Sequence, residues 1–352
     1  MLTRIGGRPV GPGAPLFTIA EIGLNHGGSR DEAIRLARAA AASGASAIKL
    51  QTLRAHRLVA QHCPAPAHVQ AESLRDFFRQ FELSEEAHAA VAAEARALGL
   101  VLMSTPFDEG SVDLLERVGV DAYKIASGDI THVGLIRRVA ATGRPMVLST
   151  GMSSLDEVMA AVACARDAGA SAIAVLHCVS SYPVPSGSEN LAAIATLART
   201  LRLPVGLSDH SATPEALVVA MAFGASIYER HLIADEASDA IDAPVSSTPE
   251  QLRDAIAAAE RARQAIGDGR KRCLPAEAVN LRASRRGLYA RRSLFAGECL
   301  MATDVIALRP AEGIPAYAID LVLGSRASRP IAAGQALTWD DIVTESQERH
   351  AV

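Results

Sequence analysis

One feature constrains this chain more than any other. A short aliphatic or β-branched run followed by an alanine-rich amphipathic stretch occurs eight times in succession. The runs fall at 17–22, 47–51, 101–104, 122–126, 146–149, 172–177, 205–208 and 226–231. Strands alternating with helices read as βα units on a parallel sheet. Eight of them in about 250 residues predict a closed (β/α)8 TIM barrel. The competing open, doubly wound sheet advertises a G-x-G-x-x-G turn after its first strand. Asn25-His26-Gly27-Gly28 is not that turn.

The alternation stops near residue 268. A glycine- and charge-rich stretch over 269–284 reads as a linker. Beyond it a short repeat appears: 294–300 with Asp304 and Val305 is echoed by 331–337 with Asp341 and Ile342. The predicted domains are a barrel over 1–268 and a small, turn-rich, pseudo-symmetric β domain over 285–346.

With 352 residues, 49% of them hydrophobic, the chain can bury a large core. Its net charge of −4 comes without a block of like charge, so neither a nucleic-acid nor a membrane partner is expected. No apolar run approaches the roughly 20 residues that span a bilayer. The first residues lack the hydrophobic stretch of a secretory leader. Five cysteines, an odd number at irregular spacing, make no disulfide framework. A reduced, cytoplasmic protein is the expectation.

A barrel of this kind places its chemistry at the carboxyl ends of its strands. Here those ends are crowded with polar groups: Glu21, Asn25 and His26; Lys49, Gln51 and Thr52; Ser104 and Thr105; Lys124, Ser127 and Asp129; Ser149 and Thr150; His177; Ser208, Asp209 and His210; Glu229 and His231. Any one of these could simply cap a helix or solvate a loop. Lys49 and Lys124 interrupt apolar strands, and a buried ammonium needs a partner. That partner is either a bound phosphate or carboxylate, with hydroxyls at Thr105, Ser127, Ser149 and Ser208 helping, or an internal salt bridge to Glu21 or Asp129. His210 and His231 end neighbouring strands, close enough to share one ion such as Mn2+, Zn2+, Co2+ or Fe2+. His177 reads as a packing or positioning residue. His56, His62, Cys63 and His68 match no zinc spacing and read as a lid over the site.

The ordered set of strand-end stretches resembles the sialic acid (nonulosonic acid) synthase family. It comprises residues 19–28, Lys49-Leu50-Gln51-Thr52, Ser104-Thr105-Pro106-Phe107, 123–129, 148–152, Leu176-His177-Cys178, 206–210 and Glu229-Arg230-His231. The small domain looks like that family's antifreeze-like (SAF) domain. The resemblance implies condensation of phosphoenolpyruvate with an open-chain N-acylated amino sugar, releasing phosphate, in a homodimer with swapped C-terminal domains. It implies a divalent metal on His210 and His231, commonly Mn2+, with Mg2+ and Co2+ as alternatives. Lys49, Thr105, Lys124, Ser127, Ser149 and Ser208 would hold phosphoenolpyruvate. Gln51, Tyr182 and Arg309 would face the sugar, Arg309 from the partner subunit. Glu21 and Asp242 would handle protons, with Asp129 assisting.

This chain departs from the family pattern at Asp129, where Glu is common, at Ser180, where some members have Asn, and over 235–243, which lacks a Gly-Pro-Asp pattern. Arg285 falls near a position that can be aromatic. These departures leave the acceptor open between N-acetylmannosamine and a deoxy diacetamido sugar. Two rival readings are a Schiff-base aldolase using Lys124 or Lys49 and a non-catalytic sugar-binding relative.

Overall fold

The computed structural model describes residues 2–65 and 71–343. Two compact units divide at Gly267 and Asp268. In the first, eight parallel strands close on themselves: β1 (Phe17–Gly23), β2 (Ala47–Thr52), β3 (Val101–Pro106), β4 (Ala122–Ile125), β5 (Met146–Ser149), β6 (Ile173–Cys178), β7 (Val205–Asp209) and β8 (Ile227–Leu232). Each pairs with its sequence neighbour, and β8 pairs with both β7 and β1, so no sheet edge remains. The alternation read from the sequence is therefore a TIM barrel.

Helices α1 (Arg30–Ala42), α2 (Glu85–Ala97), α3 (Glu109–Val118), α4 (Val133–Ala140), α5 (Leu155–Asp167), α6 (Ala193–Leu201), α7 (Ala216–Ala222) and α8 (Pro249–Ile266) follow the strands in turn. Their starts are chemically marked. Ser29, Ser84, Asp108 and Ser154 accept a first-turn backbone N–H, and Thr248 does so with proline next in line. Among the described residues no helix is long and apolar enough to cross a membrane. All five cysteines are free thiols.

Side chains two apart on a strand share a face. Inside the barrel, Phe17, Ile19, Ala47, Val101, Met103, Ala122, Val147, Ala174, Leu176 and Ile227 make an apolar floor. Ile5 and Val10, from an N-terminal hairpin (Thr3–Ile5 with Arg8–Val10), join that floor. The outer face of the strands packs on the helices in a second, larger core that includes Ile48, Leu102, Tyr123, Leu148 and Tyr228.

The second unit holds two small antiparallel pairs, Gly287–Ala290 with Val305–Leu308 and Arg326–Ala327 with Ile342–Val343, around Leu288, Leu294, Val305, Ile331 and Leu337. Its repeat is physical. Arg292 bonds Asp304 at 2.8 Å and Arg329 bonds Asp341 at 2.7 Å. Each aspartate also accepts a backbone N–H three residues before it, from Met301 and Thr338. The stretch read as linker carries a helix, Ala278–Ser284, because alanine, leucine and arginine in 278–284 favour helix once the glycines of 267–269 are passed.

Two predictions follow from buried positions in the barrel. At Gly206 a Cβ would lie 2.2 Å from the Ile227 carbonyl oxygen, so β7 approaches β8 only as glycine. Gly206→Ala should cost about 1–3 kcal/mol in urea unfolding, and a loss under about 0.5 kcal/mol would show that the strands are not so close. His26 is buried, accepts from Gly28 N at 2.9 Å, and is held neutral by burial and by His88, its pKa lowered to about 4. Between that value and the ordinary 6.5 of a free histidine the unfolded chain binds the extra proton, so stability should fall as pH drops through this window. His26→Asn should remove roughly 3 kcal/mol of that fall, and parallel pH curves for the two proteins would contradict it.

Candidate active site

One step above the apolar floor, the inward face turns polar on every strand. Glu21, Lys49, Gln51, Thr105, Lys124, Ser149, Cys178, Ser208, His210, Glu229 and His231 line one cavity of about 460 Å3. Each stands two residues beyond an inward apolar, glycine or polar position, so a single phase of the strands generates the site. Ser127 and Tyr182 join from the loops after β4 and β6. Leu58, Val59, Leu74 and Phe78 form an apolar wall from the excursion after β2.

Charges inside this cavity answer one another. Lys49 Nζ lies 2.5 Å from Glu21 Oε2 and 3.8 Å from Glu229 Oε2. Lys124 Nζ lies 3.5 Å from Glu229 Oε1 and donates to Ser149 Oγ at 2.6 Å. Register explains two of the contacts, since Glu21 is opposite Lys49 and Ser208 is opposite Glu229. Lys49 also donates to Thr105 (3.2 Å), Gln51 to Glu21 (3.1 Å) and Ser208 to Glu229 (2.8 Å). Burial presses the Lys49 pKa down, but Glu21 and Glu229 together hold it above its ordinary value. For Lys124 burial outweighs the pull of Glu229, its nearest carboxylate, and Lys49 adds repulsion, so its pKa falls. Burial would raise Glu229, yet Lys124 and Lys49 keep it well below the usual carboxylate range. The internal salt-bridge reading of the lysines is thus realised, with Glu21 and Glu229 as partners. Asp129 is not one of them: it sits half-buried at the end of the 3-10 turn Ser127–Asp129, outside the cavity lining, where burial raises its pKa.

The two histidines are oriented from behind. His210 Nδ1 lies 3.2 Å from the Val179 carbonyl oxygen, and His231 Nδ1 lies 3.3 Å from Asp242 Oδ2. The ring centroids are 5.5 Å apart, and Tyr182 stacks 4.1 Å from His210. The Val179 carbonyl and the Cys178 thiol (3.7 Å) both face His210 Nδ1, and Asp242 faces His231 Nδ1 without a hydrogen bond; with the proton on Nδ1, each Nε2 lone pair is left for a ligand. Burial opposes a charge on His231, but Asp242 raises its pKa; burial likewise opposes Asp242, which His231 holds low. At Gly23 (φ +55) a Cβ would come within 3.1 Å of His231 and 3.2 Å of Asp242, so glycine makes room for the pair. Two imidazoles presenting Nε2 to one cavity suit a divalent ion whose other positions go to water or substrate. Among the described residues no group of three or more His, Cys, Asp or Glu side chains is placed to hold a metal.

Behind the same two strands, the outward phase carries a second polar network. Arg230, fully buried, donates to Ser211 O (2.7 Å), Ala212 O (3.3 Å) and Ser247 Oγ (3.0 Å), with Asp209 at 3.4 Å. Tyr228 donates to Asp209 at 2.8 Å. These bonds brace the residues flanking both histidines.

The cavity therefore gathers Glu21, Lys49, Gln51, Thr105, Lys124, Ser127, Ser149, Tyr182, Ser208, His210 and His231. Asp242 reaches it only through His231, and Arg309 belongs to the second unit, where it is exposed. His177 faces away and bonds Glu189 O at 2.8 Å. The lid region does border the cavity, through its apolar residues rather than through His56, His62 or Cys63, while His68 lies outside the described residues. Sequence reasoning gave no task to Glu229 or Cys178. Their signal was phase: each lies two residues beyond an inward apolar position, Ile227 and Leu176.

Comparison with known proteins places the chain in a family. The chain matches the NeuB family over residues 36–271 and the SAF domain over 285–343. It is 35% identical over 349 residues to an N,N'-diacetyllegionaminic acid synthase of Legionella pneumophila, covering 96% of this chain and 97% of that one. A crystal structure of an N-acetylneuraminic acid synthetase from Leptospira borgpetersenii, in complex with citrate, superposes with a TM-score of 0.73 at 31% identity, over 80% of this chain and 95% of that one. A putative spore coat polysaccharide biosynthesis protein E from Chromobacterium violaceum gives 0.78 at 30% identity, over 93% and 99%. With a closed barrel, one polar cavity at its strand ends and a SAF domain, the chain belongs to the NeuB family.

Proposed function

We propose that this chain condenses phosphoenolpyruvate with an open-chain N-acylated amino sugar to give a nine-carbon nonulosonic acid and phosphate. The observation that carries this reading is the pairing, in one cavity, of two buried lysines ringed by hydroxyls with two histidines whose Nε2 atoms are free. Named relatives that make legionaminic and sialic acids support the product class.

In this reading Lys49, Lys124, Thr105, Ser127, Ser149 and Ser208 bind the phosphate and carboxylate of phosphoenolpyruvate and fix its enol face. Gln51 and Tyr182 orient the sugar chain. A divalent cation, Mn2+ by expectation, would be held by His210 and His231 and would supply Lewis acidity to the sugar aldehyde. Asp242 keeps the His231 ring in place. Carbon 3 of the enol bonds to carbon 1 of the sugar, the carbonyl π pair moves to the aldehyde oxygen, which takes a proton from water, and carbon 2 is left cationic. Glu21, a buried carboxylate beside Lys49, stabilises that charge and takes a proton from the water that adds to carbon 2. The tetrahedral adduct then expels phosphate to the lysines. The proposal includes a homodimer in which Arg309 of one copy serves the sugar side of the other.

A second reading, imine formation at Lys124, draws on that residue's lowered pKa. Borohydride trapping of Lys124 with an oxo acid would establish it, and metal-dependent phosphate release would remove it.

The test is a panel of acylated amino sugars with phosphoenolpyruvate, reading phosphate and product mass. Release of phosphate only with sugar and metal together is expected; sugar binding without turnover across the panel would overturn the reading. His210→Ala and His231→Ala should each abolish metal-dependent turnover in a folded protein, and full activity in either would refute the metal assignment. Arg309→Ala should chiefly raise KM for the sugar. A change in phosphoenolpyruvate KM instead would remove Arg309 from the sugar side.

A further inference from the structure

Glu229 sits where a phosphate is expected to bind. It is 5% exposed and projects from β8 into the cavity between Lys124 (3.5 Å) and Lys49 (3.8 Å). Of the groups assigned to the phosphate, all but Ser127, which accepts from Gly151 N, are already engaged with one another or with a glutamate. Ser208 donates to it, Lys124 divides between it and Ser149, and Lys49 divides between Thr105 and the two glutamates. With two ammonium groups and two carboxylates, this cluster is electrically closed before any ligand arrives. The two glutamates are anchored differently. Gln51 donates to Glu21 Oε1, and Lys49 stands 2.5 Å from its other oxygen. Glu229 Oε1 likewise accepts from Ser208, and Oε2 of each glutamate is buried without a hydrogen bond, but Lys49 stands 3.8 Å from Glu229 Oε2 against 2.5 Å from Glu21 Oε2.

We propose that Glu229 is a built-in competitor for the substrate's phosphate, holding Lys49 and Lys124 between turnovers and yielding them when the anion binds. This rests on the reading of the two lysines as the phosphate site and adds how that site is emptied. A phosphate must displace Glu229 from the lysines, so binding is an exchange of anions rather than the filling of a cationic hole. When product phosphate forms, the return of Glu229 to the lysines drives it out. Like charge beside the ligand trades affinity for release, which matters in a reaction that must discharge phosphate at each turnover.

The experiment uses Glu229→Gln, which keeps shape and an acceptor for Ser208 while removing the charge. Inorganic phosphate is titrated calorimetrically into the full-length protein, beside phosphoenolpyruvate kinetics with added phosphate. The variant should bind phosphate about tenfold more tightly, the scale of one unit charge a few ångströms away. It should also show a lower KM for phosphoenolpyruvate, a lower kcat and stronger product inhibition. A purely structural role for Glu229 would weaken phosphate binding together with thermal stability. Unchanged or weaker phosphate binding in folded Glu229→Gln overturns the proposal. If that variant fails to fold, Glu229→Asp decides: its carboxylate is drawn back by one methylene, so phosphate should tighten by a smaller factor, and no tightening overturns the proposal. Lys124→Met separates the two layers. If it loses phosphate binding while Glu229→Gln shows no gain, the site stands and the competitor falls. If Lys124→Met and Lys49→Met both bind phosphate normally, the phosphate site falls and the competitor with it.

Discussion

Two ammonium groups cannot be kept inside a protein barrel unless their charge is answered there, and the site of this chain is organised around that requirement. Lys49 and Lys124 stand on an inward phase whose lower positions are Ala47 and Ala122, with apolar neighbours beneath. Water is scarce at that depth, and an unpaired charge would cost several kcal/mol or more. Glu21 and Glu229 meet the cost at distances of 2.5–3.8 Å, reached because register sets Glu21 beside Lys49 and closure brings β8 round to β1. The same closure that removes the sheet's edges therefore assembles the charge cluster. It also sets His231 beside Glu21, so the histidine pair and the lysine cluster share one cavity.

The alternate phase does the complementary work. Tyr228, Asp209 and Arg230 point away from the cavity and stitch β7 and β8 together just where the histidines emerge. Position in a barrel strand thus separates tasks cleanly. One phase lines the cavity, and the other fixes the frame that carries the cavity's side chains.

Much of this was legible in the sequence, for identifiable reasons. Strand and helix periods differ, so eight βα units could be counted. A lysine in an apolar strand is conspicuous, and so are His210 and His231 at neighbouring strand ends. The repeat in the second unit was visible in 294–300 and 331–337, each followed by an aspartate, and Arg292–Asp304 and Arg329–Asp341 show those aspartates doing the same job twice. What escaped depends on closure. Asp129 is near Lys124 in sequence and looked like its partner, yet the chain turns away after Ser127 and Glu229 arrives from β8 instead. In the excursion after β2 the histidines caught attention, but Leu58, Val59, Leu74 and Phe78 face the cavity. Leu74 and Phe78 stand four apart on the short helix Leu74–Arg79, a one-face spacing that six residues are too few to make conspicuous.

The central claim is that the lysine cluster holds phosphate while carbon 2 of phosphoenolpyruvate is the atom that water attacks. Phosphoenolpyruvate labelled with 18O in the oxygen bridging carbon 2 and phosphorus tests it directly. The account predicts that phosphate released with the accepted amino sugar carries the label, because the carbon–oxygen bond breaks. Unlabelled phosphate would mean that water attacks phosphorus, and would contradict the account.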